Sequence, residues 1–243
     1  ETCLYNSVLS GISLDGKKYF YTNPLRISAD LPYTLRWPKE RTEYISCFCC
    51  PPNTLRTVCE AQNYAYTLSD KGIWCNLYAG SQLETAFMND KVKLIQETDY
   101  PWDGTVKLTF ERAPKKKAFS LYLRIPEWCG KVVLKVNGEP VAINPQNGYA
   151  AINRKWAKGD KVELSLPMQP RVIKANEAVE NLKGTVAIAA GPIVYSLEGC
   201  DNKGLSELKL ETNVPMSMDY NPGLLNGVNV VKGKALNAKA QEV

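Results

Sequence analysis

The sequence predicts a mainly β chain, in which a short helical stub precedes β-sandwich material. Two observations carry this. From about Gly72 onward, short runs rich in Val, Ile, Leu, Tyr and Thr recur. They are separated by turn residues such as Pro101-Trp102-Asp103-Gly104, Asn137-Gly138 and Lys158-Gly159-Asp160. Strands spaced in this way suggest an antiparallel sandwich. Before Gly72, by contrast, apolar residues fall at helical spacing.

Taken in order, residues 4–12 (Leu4, Tyr5, Val8, Leu9, Ile12) read as a helix ended by Gly11 or Gly16. Ser13-Leu14-Asp15-Gly16-Lys17 holds an Asp-Gly turn, and 18–22 is a short strand that Asn23-Pro24 stops. Residues 26–46 are polar and irregular. A second helix follows over 54–68, with Leu55, Val58, Cys59, Ala65 and Tyr66 on one side. Pro51 and Pro52 hold back its start, and Asn53 is the expected N-cap. Strands are then expected over 73–78, 91–96, 105–110, 120–125, 132–136, 149–152 and 161–166. Asn137-Gly138 between Val136 and Val141 signals a hairpin. After Pro167 and Pro170, strands over 171–175, 185–190 and 191–195 open a second sheet unit. The expected domains are 1–71, 72–170 and 171–243.

Composition narrows the functional classes. The chain has 243 residues, enough to bury a substantial core in one large or two small domains. Its net charge of +5 is mild, and the one basic run, Lys115-Lys116-Lys117, reads as a solvated turn. Nucleic acid is therefore not an expected partner. No stretch approaches the ~20 apolar residues of a membrane span. The chain begins with Glu1 and both ends read as cut, so it is expected to be a fragment of something longer.

Cysteine usage points to a site. The eight cysteines are 3, 47, 49, 50, 59, 75, 129 and 200, too few and too uneven for a disulfide scaffold. Three of them fall in Cys47-Phe48-Cys49-Cys50-Pro51-Pro52-Asn53. Neighbouring Cα atoms lie about 3.8 Å apart, below the roughly 4.4 Å usual for an unstrained disulfide. Cys49 and Cys50 therefore read as free thiols or as ligands of a soft ion such as zinc. They approach the N-terminus of the second helix, which favours thiolate. Histidine is absent, which excludes histidine-based triads, dyads and metal sites from these residues. Spacing alone leaves structural zinc ligands and buried apolar thiols open. Cys59, Cys75, Cys129 and Cys200 read as small buried hydrophobes. Trp102 and Trp128 read as core or turn-packing residues, and Asp99 and Glu127 as surface.

Several blocks resemble glycoside hydrolase family 127, the β-L-arabinofuranosidase family, with family 146 close to it. They are residues 4–16, Tyr19-Phe20-Tyr21-Thr22-Asn23-Pro24-Leu25, Cys49-Cys50-Pro51-Pro52-Asn53, Leu121-Tyr122-Leu123-Arg124-Ile125-Pro126-Glu127-Trp128 and 184–195. The resemblance implies a retaining glycosidase with an (α/α)6 barrel followed by β-sandwich domains. Residues 1–71 would be the end of that barrel, and 171–243 the start of an incomplete second sandwich. It implies zinc held by a Glu, a Cys two residues later and the adjacent Cys pair. Carried over, Cys49 is nucleophile and ligand, and Cys50 is a ligand. Glu1-Thr2-Cys3 has the spacing of the remaining ligands but abuts Leu4-Tyr5-Asn6, where the family places a whole helix, so Glu1 and Cys3 are not expected to serve. The family's acid/base glutamate has no counterpart here. Tyr21 either hydrogen-bonds the sugar or is a core tyrosine. The implied partner is an L-arabinofuranose-containing glycan. Self-association through apolar surface left bare is also expected. The rival reading is a non-catalytic carbohydrate-binding or scaffolding β-sandwich with incidental cysteines.

Overall fold

The computed structural model describes residues 1–22, 34, 36–115, 117–198 and 204–236. The expected stop at Asn23-Pro24, Lys116 and Cys200 lie outside them. The chain forms two bodies, Glu1–Tyr66 and Thr67–Val243.

In the first body the expected opening helix appears as wide helical turns over Leu4–Val8 and tighter ones over Leu9–Gly11. The expected strand at 18–22 shrinks to single bridges, Ile12 to Tyr19 and Tyr19 to Thr42. The Asp-Gly turn before it is tightly tied. Asp15 accepts from the Lys17 amide, and Ser13 Oγ accepts from the Lys18 amide.

Helix α1 spans Cys50–Glu60, followed by a 3₁₀ turn over Ala61–Tyr64. Both ends differ from the expected 54–68. At the start, Pro51 and Pro52 lie inside the first turn. Amides there have no intrahelical acceptor, so proline loses nothing and its fixed φ suits the position. Cys49 is thus the N-cap residue, and Asn53 turns inward instead, its Nδ2 donating to the Cys49 carbonyl at 2.7 Å. At the far end, Tyr66–Ser69 is strand β1, because its aromatic and β-branched residues pair with the next strand instead of extending the helix. No residue of α1 is buried, and Leu55 and Val58 stand 48% and 39% exposed. Cys59 is exposed too, not the buried hydrophobe expected.

The second body is mainly β, as expected. Its strands are β2 (Gly72–Cys75), β3 (Ser81–Phe87), β4 (Asp90–Thr98), β5 (Thr105–Arg112), β6 (Phe119–Arg124), β7 (Val133–Val136), β8 (Glu139–Pro140), β9 (Tyr149–Arg154) and β10 (Lys161–Ser165). They form two sheets, ordered β1-β2-β6-β9 and β3-β4-β5-β10-β7-β8. The sandwich is not wholly antiparallel, since β2 pairs with β6 in parallel, Gly72 opposite Ser120. The chain leaves the first sheet after β2, builds three strands of the other, then returns alongside β2. The backbones approach so closely at Gly72 that a Cβ there would lie 1.9 Å from the Ser120 carbonyl oxygen, which glycine alone permits.

Aromatic rings join the layers. Phe119 on β6 meets Phe87 on β3 edge-on at 5.1 Å and Phe110 on β5 at 6.1 Å. Trp156 stacks on Phe110 at 4.7 Å, and its Nε1 donates to the Phe119 carbonyl. Ile73, Leu94, Leu108, Leu121 and Leu164 complete an interior closed to water. Gln96, a buried amide within it, donates through Nε2 to Ser81 Oγ at 3.1 Å. Asn137 and Gly138 turn between β7 and β8 at φ of +53° and +86°, the hairpin the sequence signals.

Beyond the sandwich, β11 (Pro170–Lys174), β12 (Val186–Ala190) and β13 (Ile193–Tyr195) form a three-stranded sheet. Two small pairs follow: β14 (Lys209–Leu210) with β17 (Ala235–Leu236), and β15 (Ser217–Asn221) with β16 (Val228–Lys232). Among the described residues, no helix is long and apolar enough to cross a membrane.

Candidate active site

The cysteine cluster lies where irregular chain meets the first turn of α1. Three sulfurs and one phenol converge. Cys49 Sγ is 3.4 Å from Cys50 Sγ and 3.7 Å from Cys47 Sγ. Tyr21 Oη touches two of them, donating to Cys47 Sγ at 3.6 Å and lying 3.5 Å from Cys49 Sγ. Below them the helix start is held by side chains. Arg56 Nη1 donates to Asn53 Oδ1 at 2.6 Å, and Thr54 Oγ1 donates to the Cys50 carbonyl at 3.0 Å.

The electrostatics separate the two adjacent thiols. The Tyr21 hydroxyl, followed by the Cys50 and Cys47 thiols, holds the Cys49 thiol below its ordinary titration range. Burial first, then the neighbouring Cys49, pushes Cys50 up. Hydrogen bonding to Cys49 and then to Cys47 raises Tyr21, which disfavours its phenolate. Of the two adjacent thiols, Cys49 is thus the more readily ionised, and the Tyr21 hydroxyl lies 3.5 Å from its sulfur. A thiolate exposed at a helix N-terminus is a competent nucleophile.

The thiols also suit a soft metal. Sulfurs bound tetrahedrally about 2.3 Å from zinc stand roughly 3.8 Å apart, near the separations seen here. The donor set is partial. Among the described residues no group of three or more His, Cys, Asp and Glu is placed to hold a metal. Cys3 is exposed.

Sequence reasoning left Tyr21 between sugar-binding and core roles and missed its contact with sulfur. Residues 28 apart carry no signal that they will meet. Trp37 was missed as well. Its ring centroid lies 4.3 Å from that of Tyr21, and the Arg36 guanidinium lies over its ring at 4.9 Å. Beside them a cavity of about 260 Å³ is walled by Tyr21, Trp37, Glu40 and Tyr44. In the second body Cys75 is buried, Cys129 half-buried and Trp102 41% exposed.

Comparison with known proteins places this chain among carbohydrate enzymes. Three profiles of one family align in succession: the β-L-arabinofuranosidase GH127 catalytic domain at 1–63, the GH127 middle domain at 72–168 and the family 127 C-terminal domain at 170–233. The chain belongs to glycoside hydrolase family 127, the β-L-arabinofuranosidase family. A non-reducing end β-L-arabinofuranosidase of Bifidobacterium longum subsp. longum is 32% identical, over all of this chain and 38% of its own length. A solved structure described as a glycoside hydrolase superposes with a TM-score of 0.90 at 54% identity, over 97% of this chain and 40% of the other. A GH127 β-L-arabinofuranosidase from Geobacillus stearothermophilus T6 gives 0.86 at 40% identity, over 96% and 38%. The chain therefore spans about two fifths of the length of these relatives.

Proposed function

We propose that this chain carries the nucleophile of a retaining, zinc-dependent glycoside hydrolase that acts on β-L-arabinofuranosides of plant or glycoprotein glycans. The observation that carries this reading is the Cys49 thiol, held below its ordinary range with the Tyr21 hydroxyl on its sulfur. Its place within the catalytic-domain match supports it further.

In the first step Cys49 Sγ attacks the anomeric carbon. The C–S bond forms as the bond to the leaving oxygen breaks, and that oxygen takes a proton from a general acid. Water, giving a proton to that same group now acting as base, then attacks the same carbon from the face opposite sulfur, and sulfur departs as thiolate, so two inversions give retention. The Tyr21 hydroxyl lies 3.5 Å from the attacking Cys49 Sγ. Cys49 and Cys50 would hold the zinc, which when bound stabilises thiolate at neutral pH.

The general acid, the other ligands and most of the sugar pocket fall to the part of the relatives' length beyond this chain. On this reading 1–71 ends an (α/α)6 catalytic barrel, 72–170 is a sandwich and 171–243 begins another. Leu9, Leu14, Leu55 and Val58 stand exposed on the first body, which supports self-association of the chain on its own.

Residues 1–243 expressed alone should release no product from an aryl β-L-arabinofuranoside and should retain little zinc after gel filtration. A monomer holding one zinc per chain and hydrolysing that substrate would contradict the reading and return Glu1 and Cys3 to the ligand set.

A further inference from the structure

Cys47 has no place in the chemistry above, yet its sulfur lies 3.7 Å from the Cys49 sulfur, and one hydroxyl touches both. We propose that Cys47 and Cys49 form a reversible oxidation site, in which Cys47 is the resolving thiol that captures oxidised Cys49 as a disulfide. The consequence, a nucleophile masked and recoverable, rests on the function proposed above. The bond itself does not.

Geometry selects this pair among the three sulfurs. Closing a disulfide requires the sulfurs to approach from 3.7 Å to about 2.05 Å. Cys47 lies in irregular chain ahead of α1 and Cys49 is the N-cap residue, with Phe48, 83% exposed, between them. Cys50 is nearer to Cys49, at 3.4 Å, but it is the adjacent residue and is locked into the first turn of α1 ahead of two prolines. Its Cα separation from Cys49, about 3.8 Å, lies below the usual disulfide minimum. Cys75 is fully buried in the sandwich core and out of contention.

The oxidant is a peroxide. Cys49 attacks one peroxide oxygen, the O–O bond breaks and water leaves, giving Cys49 sulfenic acid. Cys47 sulfur then attacks Cys49 sulfur, the S–O bond breaks and a second water leaves. Two thiols have given up two electrons and two protons to one hydrogen peroxide, yielding one disulfide and two waters. A dithiol reverses it by exchange.

The test treats the 243-residue chain with stoichiometric hydrogen peroxide in the presence of a chelator. Remaining thiols are then blocked with N-ethylmaleimide, and the denatured protein is cut with chymotrypsin. Cleavage after Phe48 separates Cys47 from Cys49 and Cys50, so a Cys47–Cys49 bond leaves the two peptides joined. The joined species should predominate, survive Cys50→Ser, vanish in Cys47→Ser and separate on adding dithiothreitol. In Cys47→Ser, sulfenic acid on Cys49 should instead be trapped by dimedone. Continued blocking of Cys75 only after unfolding certifies that each variant is folded. Unjoined peptides with an intact Cys49–Cys50 bond, or dimedone-trapped Cys49 in the unsubstituted chain, would overturn the proposal. Either result leaves the nucleophile assignment standing.

Discussion

At the scale of single residues, the site rests on a difference between two adjacent thiols. Cys49 is exposed and held down by the Tyr21 hydroxyl, while burial pushes Cys50 up. The thiolate is the species that reacts with alkylating agents, so a lowered thiol reacts at lower pH. In metal-free protein, iodoacetamide should label Cys49 first. Its rate should rise with pH earlier than that of Cys50, and Tyr21→Phe should move the rise to higher pH by removing the hydroxyl that holds Cys49 down. Cys75, pushed up to about 12 by burial, should stay unlabelled until the sandwich unfolds. Peptide mapping over a pH series checks this, and faster labelling of Cys50 would contradict it. The sequence disclosed the thiols because their clustering is local. It did not disclose the tyrosine contact, which depends on how 28 residues of irregular chain return to α1.

At the scale of elements, close approaches and interlayer rings hold the sandwich. A methyl group at Gly72 meets the Ser120 carbonyl oxygen, so Gly72→Ala should cost about 3 kcal/mol through backbone displacement. Phe119 is 1% exposed and touches two rings of the facing sheet, so Phe119→Ala should cost about 3–5 kcal/mol. Val133, 45% exposed, provides the control, with Val133→Ala within about 0.5 kcal/mol. Urea midpoints of the three variants test the ranking, and equal costs would contradict it. Most strands were legible from alternation and turn residues. Strand β3 was not, because it enters β4 through Met88 and Asn89 at φ of +53° and +60°, without the glycine or proline that marks such turns. Its outer positions are also polar. Strand β1 was read as helix because a periodic apolar pattern ran into it, and only pairing with β2 decides otherwise. The parallel placement of β2 beside β6 follows from the global path of the chain, which local pattern does not encode.

At the scale of the whole molecule, the division of labour is plain. The second body, Thr67–Val243, carries the closed core, whereas the first body carries the thiols on a helix with no buried residue. An exposed helix of this length derives little stability from its own hydrogen bonds. The chain covers about two fifths of its relatives' length. The fold class and family were legible because strand texture and the Cys-Cys-Pro-Pro block survive in isolation. A metal-ligand set was not, since among the described residues no group of three or more His, Cys, Asp and Glu is placed to hold a metal.

The central claim is that Cys49 forms the bond to the sugar. The most direct measurement uses the enzyme at the full length of its relatives. It is mixed with an activated aryl β-L-arabinofuranoside, quenched in acid during turnover, digested and weighed by mass spectrometry. A pentosyl adduct should appear on the peptide bearing Cys49, at the sulfur of that residue. It should be absent, together with turnover, in Cys49→Ser, because a neutral hydroxyl is a far weaker nucleophile than a thiolate. An adduct on a carboxylate, or undiminished turnover in Cys49→Ser, would contradict the account.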